Sequence, residues 1–377
     1  MIKHYLLIAL FSLSLHAVDF HTLFESPEHV MAGDEVMPKI LLHLTNGLRL
    51  SFGDIVAMGD FYGTPESPIS LGTTDKERKS LFLSAFNSFA GSKDSTEETI
   101  KIVSAIHSER KMVADELAKG RSAEEVYSES STERVKNWNC ITGGACSGPV
   151  WFLAPGRYLL LAKTDYDHFG DNAVKAYLTG HQVALEEAVK ANKTQDKKKL
   201  EHAYAMDAFA CHFLTDRFSS GHMRTPRTEL PDHVTPSLVG SLLAIFMHNE
   251  DSAHGLHVHN AQGDRWVAYG DAYYLDSRNK DNLVMTRNAL QASIGEVTEA
   301  FSTGKIPAVF KVLTLIPQVD ESGSNANLDI AALFYFDTNS QELMRRSDLS
   351  DPYDHHWTSN WLGWSTLAQL KALQGDQ

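Results

Sequence analysis

Positive charge is in short supply. Lysine and arginine number 34 against 48 aspartates and glutamates, which leaves the 377-residue chain with a formal charge of −14. No global field draws it to a polynucleotide, so nucleic acid is not a favoured partner, although a bound metal ion reverses the sign locally. Long apolar runs are also missing. The stretch Tyr5–Leu15 is well short of the roughly 20 residues that span a bilayer, and no later stretch is longer, so no transmembrane segment is expected. With Lys3 and His4 before it and Leu15-His16-Ala17 after it, it reads as a secretory signal over residues 1–17 that leaves Val18 first, and the predicted location is secreted or periplasmic. Cysteine is scarce, with three residues. Cys140 and Cys146 flank a glycine-rich loop and predict a disulfide, consistent with export, whereas Cys211 lies in an apolar helical stretch and predicts a buried thiol. There is no low-complexity bias; with 43% hydrophobic and 22% charged residues the chain is neither disordered nor fibrous.

Helical spacing dominates what remains. Residues 75–135 carry apolar positions at Leu81, Phe82, Ala85 and Phe86, then Ile102, Ile106, Val113 and Leu117, predicting two or three amphipathic surface helices. Residues 138–155, rich in Gly and Ser, read as a loop. Long helices are expected over 155–191 and 197–218, joined by the short polar segment 192–196 as an antiparallel pair. A further helix is expected over 236–248. Asp60 ends the apolar segment that starts at Phe52. Beyond Phe301, Val, Phe, Ile and Leu runs broken by Gly, Ser and Asn predict either a small strand-containing module or an irregular cover.

Histidine is not spread evenly. Ten of the 18 lie between His168 and His259, a clustering that points to metal. The sharpest pattern is His212-x3-Asp216-x5-His222. On a helix His212 and Asp216 share a face, and Gly221 ends that helix so that His222 folds back toward it. The alternative is a core histidine bonded to Asp216. His168, at the opening of the preceding long helix, stands beside this pair if the two helices pack. His248 and Asp251 lie near another helix end, and His29 lies in a helix starting at Glu28. His254, His257 and His259 alternate as on a solvated strand edge.

These spacings together resemble the zinc-dependent phospholipase C and single-strand nuclease superfamily, and most of all its secreted proteobacterial phospholipase C branch. The resemblance covers residues 165–251 well and 25–60 loosely. It implies a mainly α fold with a helical core and a smaller C-terminal part, divided as a catalytic domain over 18–300, with 75–135 inserted, and a C-terminal region over 301–377. It implies three zinc ions (Zn2+): one on Asp60, His168, His212 and Asp216, a second on His29, Asp216 and the new N-terminus, and a third on His222, His248 and Asp251. Ser252 stands where the family has its last carboxylate, so Asp251 or Glu250 must substitute. The implied reaction is phosphoester hydrolysis with Asp60 as proton acceptor, and the implied partner is a phospholipid at a membrane surface. Phe61 and Tyr62, next to Asp60, are expected to bind a cationic headgroup. Trp357, Trp361, Leu362 and Trp364 are candidates for an interfacial surface, and Arg217, Arg224 and Arg227 for gripping phosphate. Single-strand nuclease activity and a non-catalytic exported metal protein are the competing readings.

Overall fold

The computed structural model describes residues 25–320 and 328–375; the expected signal over 1–17 and the new terminus at Val18 lie outside the described residues. The fold is mainly α, with small strands toward the C-terminal end. In chain order the helices are α1 (Ser26–Val36), α2 (Phe52–Val56, continued by a 3-10 turn Ala57–Asp60), α3 (Asp75–Ala90), α4 (Thr96–Leu117), α5 (Ala123–Ile141), α6 (Arg157–Lys163), α7 (Gly170–Thr194), α8 (Lys197–Asp216), α9 (Ser220–Met223), α10 (Glu229–His233), α11 (Ser237–His254), α12 (Lys280–Thr303) and α13 (Gly363–Gly375). Among the described residues no helix is long and apolar enough to cross a membrane.

The antiparallel pair α7 and α8 is the spine. Gln195, in the left-handed region, ends α7, and the Asp196 carboxylate accepts from the backbone N–H groups of Lys198 and Lys199 to start α8. Small residues (Ala176, Ala184 and Ala188 on α7, Ala203 and Ala210 on α8) are fully buried and let the two helices approach closely. Helices α1, α2, α3 and α12 pack around this pair. The expected helix over 155–191 is interrupted: α6 stops at Lys163, and a 3-10 turn Tyr166–His168 precedes α7. The interruption has anchors on both sides, since Asp167 accepts from the N–H groups of Ile69 and Ser70 at 2.6 and 2.7 Å, and Asp165 accepts from Arg227 at 2.6 Å. Residues 75–135 do form three helices, but α3 is no surface addition. Its Phe82, Phe86 and Phe89 lie with ring centroids 5.4–6.0 Å from Phe209 of α8. The segment expected to be a loop from residue 138 stays helical to Ile141, where the Cys140–Cys146 disulfide closes the turn. Cys211 is buried and free.

Three small antiparallel sheets complete the chain. β1 (Leu41–His43) pairs with β2 (Arg49–Ser51). β3 (Leu256–His259) pairs with β4 (Arg265–Ala268) and with β5 (Gln318–Val319). β6 (Phe334–Asp337), β7 (Glu342–Arg346) and β8 (Trp357–Thr358) form the last sheet. Leu333, Phe334, Leu343, Leu367 and Leu370 from this part share a core with Val239, Leu243 and Met247 of α11.

One buried polar network sits inside the spine. His181 faces Asp207 at 2.6 Å and Glu296 at 2.8 Å, while Ser293 donates to Asp207. Burial alone would lower the imidazole's pKa, but the two carboxylates outweigh it and raise it to about 9. A pKa raised above the unfolded value of 6.5 stabilises fully below pH 6.5, and the contribution fades as pH rises toward 9. His181→Ala leaves two buried carboxylates unpaired and is expected to cost about 3–5 kcal/mol in urea unfolding. The difference from wild type should shrink between pH 6.5 and 9; a difference that stays constant over that window contradicts the charged-pair account.

Candidate metal centre

Seven side chains from six separate parts of the fold converge. α1 supplies His29, the 3-10 turn after α2 supplies Asp60, the turn before α7 supplies His168, and α8 supplies His212 with Asp216 in its last turn. α9 supplies His222 and α11 supplies His248. The eighth ligand-type residue is Asp271, in the turn after β4. These residues form three buried groups able to hold a metal ion: His29, His212 and Asp216; Asp60, His168 and His212; and His222, His248 and Asp271.

The backbone is shaped for these approaches. A Cβ at Gly59 would lie 2.2 Å from the His212 ring, so glycine alone lets Asp60 follow so closely against that imidazole. At Gly221 a Cβ would meet His248 Cδ2 at 2.6 Å. Ser26 donates to Asp60 Oδ2 at 2.6 Å and leaves Oδ1 facing His212 Nε2 at 3.5 Å. Glu28 accepts from the N–H groups of Ala272 and Tyr274 at 3.1 and 3.3 Å, tying α1 to the Asp271 turn.

Outer hydrogen bonds decide which ring nitrogen carries the hydrogen. His212 Nδ1 donates to the Val56 carbonyl oxygen at 3.0 Å, and His222 Nδ1 donates to the His168 carbonyl oxygen at 3.1 Å. Thr215 Oγ1 spends its hydrogen on the His212 carbonyl oxygen at 2.7 Å, so it accepts from His29 Nδ1 at 2.7 Å. The Nε2 atoms of His29, His212 and His222 therefore present lone pairs inward. Burial pushes the His29 imidazole down to about 3 and that of His222 to about 4, and holds His168 and His212 well below the usual range. All four are neutral at pH 7, the state a metal requires.

In the first two groups these lone pairs meet a carboxylate or a further imidazole nitrogen. His212 Nε2 lies 2.9 Å from His168 Nδ1, which lies 2.9 Å from Asp216 Oδ2. His29 Nε2 lies 3.5 Å from Asp216 Oδ1. Asp216 Oδ1 is buried and accepts no hydrogen bond. Burial and the nearby carboxylates raise the Asp216 and Asp60 carboxyls well above their ordinary value. Ligand atoms about 2.0–2.1 Å from a tetrahedral ion stand about 3.3 Å apart, close to these separations. A cation at that point supplies the charge that two buried carboxyls otherwise lack. The two oxygens of Asp216 face different imidazoles, so this carboxylate can bridge two ions. In the third group His222 Nε2 and His248 Nε2 are 2.9 Å apart, and they lie 3.1 and 2.9 Å from Asp271 Oδ2. Three acceptors on one point need a proton or a metal between them. Without a metal the proton resides on His248: burial opposes this, but Asp271 raises the imidazole, and the two imidazoles hold Asp271 well below the usual carboxylate range despite its burial.

No protein family, curated protein or solved structure matches this chain. The assignment of the centre rests on its own geometry, which brings together His29, Asp60, His168, His212, Asp216, His222 and His248 as expected and departs from expectation at three places. Asp251 is not part of the centre. Its two oxygens accept from Arg224 at 2.8 and 2.9 Å, because it sits on the face of α11 turned toward residues 224 and 330. Glu250 is likewise held by both ends of the Arg346 guanidinium. The carboxylate at the third group is Asp271, twenty residues beyond the expected position. A signal for it was present: Gly270-Asp271 repeats the Gly59-Asp60 pairing.

Phe61 and Tyr62 are committed to other partners. Phe61 is fully buried against Trp138 and Tyr158, and the Tyr62 hydroxyl bonds Thr99 at 2.7 Å under the Arg157 guanidinium. Aromatic side chains of this size are worth more in the core than at an open turn. The aromatics that touch the centre include Phe169, stacked on the His222 ring at 4.4 Å, and Phe213, edge-on to His168 and His212 at 5.4 Å. Of the arginines expected to grip phosphate, Arg217 donates to the Met223 and Pro317 carbonyl oxygens, Arg224 to Asp251, and Arg227 to Asp165. All three brace the fold around His222. Of the residues expected at an interfacial surface, Trp357 and Trp361 donate to the Ala332 and Leu343 carbonyl oxygens, while Leu362 and Trp364 are exposed.

Proposed function

We propose that this chain is a zinc-dependent phosphodiester hydrolase of the phospholipase C type, which cleaves glycerophospholipids such as phosphatidylcholine to diacylglycerol and the phosphorylated headgroup. The observation that carries the reading is that the two oxygens of Asp216 face different imidazoles, His168 and His29, with a third group alongside. Three ions are inferred: one on Asp60, His168, His212 and Asp216, one on His29 and Asp216, and one on His222, His248 and Asp271. Bound zinc lowers the pKa of a coordinated water toward about 7 and neutralises phosphate charge. The remaining work falls to the chain. Asp60, oriented by Ser26, would accept the proton of the attacking water. Thr215 and the Val56 and His168 carbonyl oxygens keep the imidazoles in the ligating tautomer.

The acidic chain and the internally committed arginines favour a lipid over a polynucleotide. The test is a paired assay on the mature zinc-loaded protein, with phosphatidylcholine vesicles against single-stranded DNA. Phosphocholine and diacylglycerol release without DNA cleavage is expected. Faster cleavage of DNA would move the assignment to a nuclease, and zinc binding with neither substrate cleaved would make the chain a non-catalytic metal protein.

A further inference from the structure

A cavity of about 280 Å³ opens beside the third group, with His222 and His248 in one wall. The rest of its lining is mostly apolar, with Phe152, Leu159, Leu160, Leu238, Leu242 and Ile245, and it also carries Lys163, Asp165 and Arg227. On α11 the residues Leu238, Leu242, Ile245 and His248 follow one another at spacings of four, three and three, so a single helix face carries the apolar wall straight to a metal ligand. That face is about 15 Å long. The opposite wall comes from α6 and the segment before it, which the Cys140–Cys146 disulfide and backbone bonds hold in place. Ala145 N donates to the Ala154 carbonyl oxygen at 2.9 Å, Arg157 N to that of Thr142 at 3.0 Å, and Gly156 N to Asn139 Oδ1 at 2.6 Å. Trp151 is buried beneath, yet Val150, Leu153 and Leu160 are 41, 50 and 42% exposed. These three aliphatic side chains lie on the segment that supplies Phe152 and Leu159 to the cavity wall.

We propose that this cavity seats one acyl chain of a membrane lipid whose phosphoester lies at the His222–His248–Asp271 end, and that Val150, Leu153 and Leu160 are the lip that meets the bilayer. The occupant follows from the lining: an apolar slot that runs from an exposed apolar rim and ends at cation ligands matches a molecule that is aliphatic along its length and anionic at one end. A nucleotide would place bases and sugars against leucines. The proposal rests on the hydrolase reading above and adds to it where the lipid enters and what holds it.

Two measurements separate the two ideas. Binding is read with the fluorescent fatty acid cis-parinaric acid and by sedimentation with phosphatidylcholine vesicles; hydrolysis is read on the same vesicles and on bis-p-nitrophenyl phosphate, which has no acyl chain. Ile245→Trp fills the slot and should weaken parinaric acid binding at least tenfold. Leu153→Glu with Leu160→Glu should reduce vesicle binding at least tenfold. In both variants the loss on vesicles should exceed any loss on bis-p-nitrophenyl phosphate by about tenfold, mostly in KM. Val309→Glu, at a side chain 77% exposed on another part of the surface, should change neither. Equal losses on both substrates, or wild-type parinaric acid binding in Ile245→Trp, overturn the acyl-chain site while leaving the hydrolase standing. Chain binding lost in the variants of a protein that cleaves neither substrate overturns the hydrolase and leaves the site.

Discussion

Asp216→Asn is expected to leave the purified protein with about one metal ion per chain in place of three, since its Oδ2 lies 2.9 Å from His168 Nδ1 and its Oδ1 3.5 Å from His29 Nε2, one imidazole in each of the two groups that meet at His212. Phosphodiester hydrolysis should fall by roughly 10³-fold, the equivalent of several kcal/mol of lost transition-state stabilisation. The same substitution has an opposite effect on the metal-free protein. There Asp216 is a buried carboxyl with one unbonded oxygen and acidic neighbours, and its raised pKa means that its contribution to stability is present below pH 3.8 and declines as pH rises. In chelator at pH 7 the asparagine variant should therefore unfold about 1–3 kcal/mol later than wild type, the magnitude of relieving one unsatisfied buried group. A gain in the apoprotein combined with a loss in the holoprotein marks a residue kept for binding and not for packing. Metal analysis by atomic emission and urea unfolding with and without chelator check both halves. An Asp216→Asn protein that retains wild-type metal content would falsify the bridging role.

The second large effect contrasts two aspartates that sequence spacing alone did not separate correctly. Asp271→Ala removes the carboxylate between His222 and His248 and should abolish one metal site of the three, weakening zinc at that position by more than the roughly 100-fold expected for loss of an outer-shell partner. Stability of the metal-free protein should change less, because the proton shared by His248 and Asp271 leaves with the acid. Asp251→Ala should do the reverse. It strips a mostly buried Arg224 of both hydrogen bonds to its carboxylate, with an expected cost of about 3–5 kcal/mol, and should leave the metal count unchanged. Metal stoichiometry and unfolding midpoints measured on both variants decide between the assignments; a zinc loss in Asp251→Ala with none in Asp271→Ala would restore the spacing-based choice.

Why the spacing succeeded at one end of the centre and failed at the other is a matter of locality. His212 and Asp216 are four apart on one helix, so the α-helical repeat alone places them on one face; the helix, however, stops at Asp216 and not at Gly221, which lies inside α9 and there lets His248 approach. His248 was legible as a histidine near a helix end. The carboxylate at plausible spacing in the same turn is Asp251. Yet three residues on from His248 the side chain turns toward Arg224, and the vacant quadrant is filled from a different element after β4. Phe61 and Tyr62 show the same limit: adjacency to Asp60 in sequence says nothing about direction, and consecutive residues in a tight turn diverge.

What the sequence determined by itself is everything carried by short-range periodicity and composition: a mainly helical chain, the α7–α8 pair with its short polar link, the disulfide at residues 140 and 146, and a core of four metal-type ligands between His168 and His222. Tertiary structure alone decided that Asp271 and not Asp251 completes the third group, that the phenylalanines of α3 belong to the central core, and that α6 and α11 enclose an apolar slot ending at His248. The reason is that each of these depends on which faces of distant elements meet. Such meetings are set by packing of the whole core and by internal partners such as Arg224, Arg227 and Glu28, none of which announces its target in its own neighbourhood of the chain.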